Sequence, residues 1–190
     1  MNPLTNDEKK SLLHIARSAI KSHLKGETLQ FDVPLTETLE TPCGAFVTIK
    51  VRGELRGCIG LIIAEHPLYS TVAQMAVSAA TSDYRFDPMT VKEMEKADLE
   101  ISVLTPFETI SDISEIEVGK HGLYIMKGPY HGLLLPQVAV ENNWDVNQFL
   151  QYTCLKAGLP TDAWKNKNTI IQIFSAEVFG EKDFENINEL

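Results

Sequence analysis

A short connection fixes the first strand pair of this chain. Residues 45–51 (AFVTIKV) read as a strand, and Leu55–Ile63 returns as a second strand after only Arg52-Gly53-Glu54. A turn of that length sends the chain back beside itself, because a parallel crossover needs a dozen or more residues. Further strand patterns fall at 99–104, 123–126, 133–135 and 169–179. Lys127-Gly128-Pro129-Tyr130 reads as the turn of another hairpin. Helical spacing appears at 5–25, where Thr5 and Glu8 have capping-box spacing and Gly26 is a stop. Pro67 opens a helix with a small-residue face, and Thr90 with Glu93 starts a short one. Residues 136–141 and 146–157 read as helices, with Gly158 as a cap. Residues 27–42 and 81–89 read as loops, and 107–120 as polar with weak strand character. Strands and helices do not alternate regularly. The expected class is therefore α+β, with a mostly antiparallel sheet, and not a doubly wound fold.

The 190 residues suffice for one domain or two small lobes. Net charge is −9, and no Lys/Arg run offsets it, which argues against general attraction to nucleic acid. The N-terminus lacks an apolar signal core, and no apolar run reaches membrane-spanning length. Cys43, Cys58 and Cys154 form neither a CxxC pair nor a disulfide framework, so a reducing cytoplasm is the expected location. Phosphate-loop, dinucleotide, HExxH and GxSxG patterns are absent.

The sharpest local feature is Leu55-Arg56-Gly57-Cys58-Ile59-Gly60. Gly57 and Gly60 interrupt a strand, which suggests a bulge or the close approach of another backbone or a ligand. Arg56 shares a strand face with Cys58 if the alternation is regular, and a guanidinium beside a thiol favours the nucleophilic thiolate. The competing reading is an inert structural cysteine. Asp83 and Arg85, two apart in a loop, suit either a polar ligand or a loop clasp. His121 is a candidate general base for Cys58, with a plain structural histidine as the alternative. His131 lies ten residues on, where the two rings could face each other across the hairpin. Gln137 sits in the first turn of a helix, near N–H groups that favour an anion. Glu100 and Glu177, on separate strands, are candidates to meet across a sheet as paired carboxylates.

Together these segments resemble the AMMECR domain family, whose bacterial and archaeal members are called AmmeMemoRadiSam system protein A. The matching stretches are RGELRGCIG (52–60), AATSDYRFDP (79–88), LEISVL (99–104), GKHGL (119–123), LLLPQVA (133–139), Trp144 and FLQYTCLKAGL (149–159). The resemblance implies two unequal lobes. The larger is expected at about 1–110 plus 167–190, built from both chain ends around a mostly antiparallel sheet. The smaller is expected as an insertion at about 111–166, with the motif residues near the cleft between the lobes. It further implies an accessory role beside Memo-like and radical S-adenosylmethionine proteins, acting on a small molecule or nucleic acid, with Cys58 as a covalent handle. No cofactor is evident in the chain itself. An iron–sulfur cluster and S-adenosylmethionine would belong to a partner, since three scattered cysteines do not match cluster spacing. On this reading Cys58, Arg56 and His121 are the reacting set, and Gly57, Gly60, Asp83, Arg85, Gln137 and Glu100 are ligand contacts. The alternative is a non-catalytic module that binds a ligand or partner in the inter-lobe cleft. Recognition of a structured RNA is disfavoured by the acidic charge.

Overall fold

The structure, a computed structural model, describes residues 3–29, 35–63 and 65–184. Contacts divide the chain into two compact units: Met1–Leu104 with Glu177–Leu190, and Thr105–Ala176.

In the first unit, α1 (Asn6–Lys25) begins at Thr5, whose hydroxyl accepts the Glu8 N–H while the Glu8 carboxylate accepts the Thr5 N–H. It ends at Gly26, whose φ of 71° suits glycine. The short helix α2 (Glu37–Glu40) lies inside the stretch read as loop; the Thr36 hydroxyl caps it by accepting the Leu39 N–H. Gln30–Pro34 of that stretch lie outside the described residues.

A four-stranded sheet follows the order β2-β1-β3-β8, with β1 (Ala45–Val51), β2 (Glu54–Leu61), β3 (Ala97–Leu104) and β8 (Ala176–Gly180). Along β1, Ala45, Val47 and Ile49 are fully buried, and on β3 so are Leu99 and Ile101. This face packs against α1 and α3 (Leu68–Thr81). Leu12, Leu13 and Ile20 of α1 and Leu68, Val72 and Ala76 of α3 complete that core. Each fully buried large aliphatic there contributes about 1.5–3 kcal/mol, which is why one-sided alternation on the strands is enough to choose the face. The short α4 (Val91–Met94) precedes β3, with the Thr90 and Glu93 capping box in place.

The hairpin turn is tighter than expected. Arg52 (φ 55°) and Gly53 (φ 86°) form it alone, and Glu54 already pairs with Val51. Lys50 then pairs with Leu55, but Ile49 pairs with Gly57. Arg56 is thus the extra residue of a β-bulge.

The stretch 169–179 is two strands, not one. The strand β7 (Ile170–Phe174) and β8 belong to different sheets. Between them, Ser175 exchanges hydrogen bonds with Thr105: its N–H donates to Thr105 Oγ1 and its carbonyl accepts the Thr105 N–H. Glu100 and Glu177 consequently form no carboxylate pair. Glu177 turns to Lys9 (2.7 Å) and the Leu4 N–H on the α1 side, whereas Glu100 pairs with Lys50 (3.0 Å) on the other face.

In the second unit, the sheet order is β4-β7-β5-β6, with β4 (Glu108–Thr109), β5 (Gly122–Lys127) and β6 (Tyr130–Leu134), all pairs antiparallel. The unit is wider at both ends than the 111–166 expected, because Glu108 on β4 pairs with Ile173 on β7 and draws both flanks in. Two helices, α5 (Pro136–Glu141) and α6 (Val146–Lys156), supply Ala139, Phe149, Leu150 and Cys154 to its own core. Trp144 stacks on Tyr152 at 4.1 Å between ring centroids. His121 and His131 do not face each other. His131 lies opposite Met126, near the turn, whereas His121 precedes β5 at the far end of the hairpin.

Candidate functional site

The bulge at Arg56 decides where the motif cysteine points. In an unbroken hairpin Cys58 would oppose Val47 and face the core. With one residue inserted it opposes Thr48 instead, and Gly57 takes the core-facing position opposite Ile49. Thr48 in turn opposes Glu100 on β3. Cys58, Thr48 and Glu100 therefore form one row across three strands, on the sheet face away from α1 and α3. The Thr48 hydroxyl donates to Cys58 Sγ at 3.3 Å. Cys58 is half-buried, so its sulfur is held but not sealed.

The same slip corrects the expectation that Arg56 shares a face with Cys58. As the bulged residue, Arg56 leaves the alternation. Its Nε donates to Glu93 Oε1 at 2.9 Å, and its guanidinium carbon lies 5.7 Å from the centre of the Phe86 ring. That partnership, helped by the Thr90 backbone N–H, holds the Glu93 carboxyl down to about 2.

The glycines are there for the chain's own contacts. A Cβ on Gly57 would lie 2.1 Å from the Ala79 carbonyl oxygen of α3, and one on Gly60 would lie 2.3 Å from the Phe46 ring. The close approach expected at these positions is made by a helix backbone at Gly57 and an aromatic ring at Gly60.

Asp83 is 5% exposed and saturated with donors. Its Oδ2 accepts the Cys58 N–H (2.9 Å) and Arg85 Nη2 (2.6 Å). Its Oδ1 accepts Arg85 Nε (2.9 Å) and the Arg85 N–H (3.2 Å). The Arg85 guanidinium, above all, holds this carboxyl far below the usual carboxylate range, against the cost of burial. Because β2 is an edge strand, the Cys58 N–H points away from β1, and Asp83 caps it. The loop is closed by the Phe86 N–H on the Asp83 carbonyl and the Met89 N–H on the Ala80 carbonyl. Arg85 and the Cys58 backbone thus meet at one oxygen, Asp83 Oδ2.

The remaining candidates stand elsewhere. His121 belongs to the second unit, where its Nδ1 accepts the Glu117 N–H at 3.1 Å. That bond assigns the ring proton to Nε2 in the neutral tautomer. Gln137 is the second residue of the six-residue α5, exposed, and without a side-chain hydrogen bond among the described residues. Glu100 is engaged with Lys50, both about three-eighths exposed. Among the described residues no group of three or more His, Cys, Asp or Glu side chains could hold a metal, and no helix is long and apolar enough to cross a membrane.

Three participants were not singled out from the sequence: Thr48, Phe86 and Glu93. Glu93 was readable only as a helix cap. Thr48 becomes a neighbour of Cys58 only through the bulge. Phe86 gains its meaning from two arginines that approach its ring.

Comparison with known proteins agrees with this architecture. The AMMECR1 family model matches residues 13–179. An Aquifex aeolicus protein is 42% identical over 181 residues, covering 92% of this chain and 93% of its own. A Methanothermobacter thermautotrophicus protein is 42% identical over 186 residues, covering 94% and 97%. The crystal structure of the uncharacterized protein PH0010 from Pyrococcus horikoshii superposes with a TM-score of 0.77 at 40% identity, covering 91% of each chain. This chain belongs to the AMMECR1 family.

Proposed function

We propose that this protein is a cysteine-centred accessory component that modifies a small molecule, working beside Memo-like and radical S-adenosylmethionine proteins. The observation that carries the reading is the presentation of Cys58. Its backbone is clamped by Asp83, its sulfur takes a hydrogen bond from Thr48, and it remains partly accessible. Such a thiol is held in one orientation without being enclosed, which is what attack on an incoming electrophile requires. In that step a bond forms between Sγ and the electrophilic carbon. The bond from that carbon to its leaving group breaks, the leaving group takes the electron pair, and the thiol proton passes to solvent. Arg85 supplies positive charge nearby as the sulfur reacts. We place this chemistry in the reducing cytoplasm, where the thiol stays available.

Alkylation of the native protein by a neutral reagent, read at each cysteine by mass spectrometry, tests the reading. Cys58 is expected to react faster than Cys43 and Cys154, whose thiols burial pushes up. If Cys58 is as inert as Cys154, the reading fails. Partnership is tested separately by co-purification with the two kinds of partner protein, and absence of either complex removes that part.

A second reading, a non-catalytic binding module, draws on the way Asp83 with Arg85, and Glu93 with Arg56, hydrogen-bond within each pair while both carboxylates also accept from backbone. A stable complex with a partner that survives Cys58→Ser, together with a slow Cys58, favours it.

A further inference from the structure

Around Phe86, two guanidinium groups are each only half used. Arg85 gives Nε and Nη2 to Asp83, which leaves Nη1 without an acceptor among the described residues. Arg56 gives Nε to Glu93, which leaves both Nη groups without one. The two guanidinium carbons lie 5.5 and 5.7 Å from the centre of the same ring. Neither arginine is free to wander. Each is tethered by a carboxylate and held near an aromatic face, an arrangement that fixes direction at low entropic cost. The carboxylates are already occupied. Asp83 accepts four hydrogen bonds, and Glu93 spends Oε2 on the backbone and hydroxyl of Thr90. What remains is a set of arginine N–H donors at the edge of β2, joined to the Cys58 backbone through a single oxygen of Asp83. Three charge-bearing Nη groups thus have no acceptor among the described residues, on a chain of net charge −9, with the Arg56 side chain largely buried and that of Arg85 exposed.

We propose that the Nη groups of Arg56 and Arg85, both beside the Phe86 ring, bind an oxyanion carried by the molecule that reaches Cys58. This deepens the proposed function and rests on it for the role of Cys58: the substrate class becomes an anionic small electrophile bearing a carboxylate or a phosphoryl group. The planar fork of arginine matches either group, and the tethering carboxylates hold each guanidinium in place.

Two measurements on the full chain test the site. The first is titration calorimetry with inorganic phosphate and, separately, with acetate, on the wild type and on Arg56→Met, Arg56→Lys and Arg85→Met. The wild type is expected to bind at least one of these anions, and loss of either arginine to weaken it about tenfold, with Arg56→Lys intermediate. A thermal melt of each variant identifies any that fails to fold, and Arg56→Lys retains the charge should Arg56→Met do so. The second is the ratio of Cys58 alkylation rates with iodoacetate and iodoacetamide. In both reactions Sγ bonds to the CH2 carbon as iodide departs with its electron pair. The ratio should fall in each arginine variant and be suppressed by whichever anion binds, phosphate identifying a phosphoryl site and acetate a carboxylate site. A reactive Cys58 with no anion binding, and with a ratio indifferent to both arginines, overturns the anion site and leaves the cysteine reading standing. Arginine-dependent anion binding beside an inert Cys58 upholds the anion site and overturns the cysteine reading.

Discussion

The two units solve the same packing problem at an edge strand and finish it differently. In the first, Gly57 on β2 admits the Ala79 carbonyl of α3. In the second, Gly132 on β6 admits the Ala157 backbone at the end of α6, where a Cβ would lie 2.4 Å from its nitrogen. Both glycines bring a helix backbone onto a strand that has a neighbour on one side only. Beyond that they diverge. The Gly57 strand carries a bulge, a half-buried thiol and two neighbouring ion pairs, Asp83–Arg85 and Arg56–Glu93. In the Gly132 unit, the cysteine sits inside a helix, fully buried, with its thiol pushed up by burial. The comparison teaches that the glycines alone call for no ligand. What packing leaves unexplained is the polar clasp around Cys58.

The largest expected effect probes what is common to both. Gly57→Ala and Gly132→Ala each force a methyl group into a neighbouring backbone, and each should destabilise by about 3 kcal/mol in denaturant unfolding. If Gly57→Ala alone is tolerated, the parallel between the units breaks.

Next comes the clasp, which only the first unit has. Asp83→Asn leaves Arg85 without its anion and weakens the hold on the Cys58 N–H, at a cost of about 2 kcal/mol. The pH dependence has a definite sign. Asp83 is depressed below its ordinary value of 3.8, so its contribution is complete above that value and is lost as pH falls towards the folded one. Glu93, at about 2 against an ordinary 4.5, acts in the same direction. The wild type should therefore lose more stability than Asp83→Asn between about pH 4 and pH 2, as read by thermal melts. Equal acid sensitivity in the two proteins removes the clasp's electrostatic role.

The cysteines come third. Cys154→Ser places a hydroxyl in a fully buried helix position and should cost about 1–2 kcal/mol, whereas Cys58→Ser at a half-buried position should cost under about 0.5 kcal/mol. Similar losses at the two sites would mean that Cys58 is structural after all. The smallest effect sharpens the picture at the sulfur itself. Thr48→Val keeps shape but removes the donor, and should slow Cys58 alkylation by about twofold to fivefold with little change in stability. Thr48→Ser should restore the rate, which a purely steric role for Thr48 would not do.

Much of this molecule is written locally. Capping boxes at Thr5 and Thr90, the stop at Gly26, and the alternation of Ala45, Val47 and Ile49 are short-range signals, and the structure realises each. The antiparallel α+β class follows from them and from one short turn, because burial of one strand face and the reach of a few residues leave little else open. Ser175 shows where such reading stops. Nothing in the apolar run from Ile170 to Phe179 announces a break, and the break exists because Thr105, seventy residues away, takes the hydrogen bonds of Ser175.

The candidate site divides in the same way. The sequence by itself determined that a cysteine between two glycines lies on a distorted strand, and that Asp83 and Arg85 stand together in a loop. Only the tertiary structure decided what they do. One inserted residue at Arg56 turned Cys58 from the core to the opposite, half-buried face and set it against Thr48. The reason is geometric: side chains on a strand alternate with a period of two, so a single extra residue reverses every face beyond it, and although Gly57 and Gly60 signal a distortion, which residue is the inserted one depends on strand pairing.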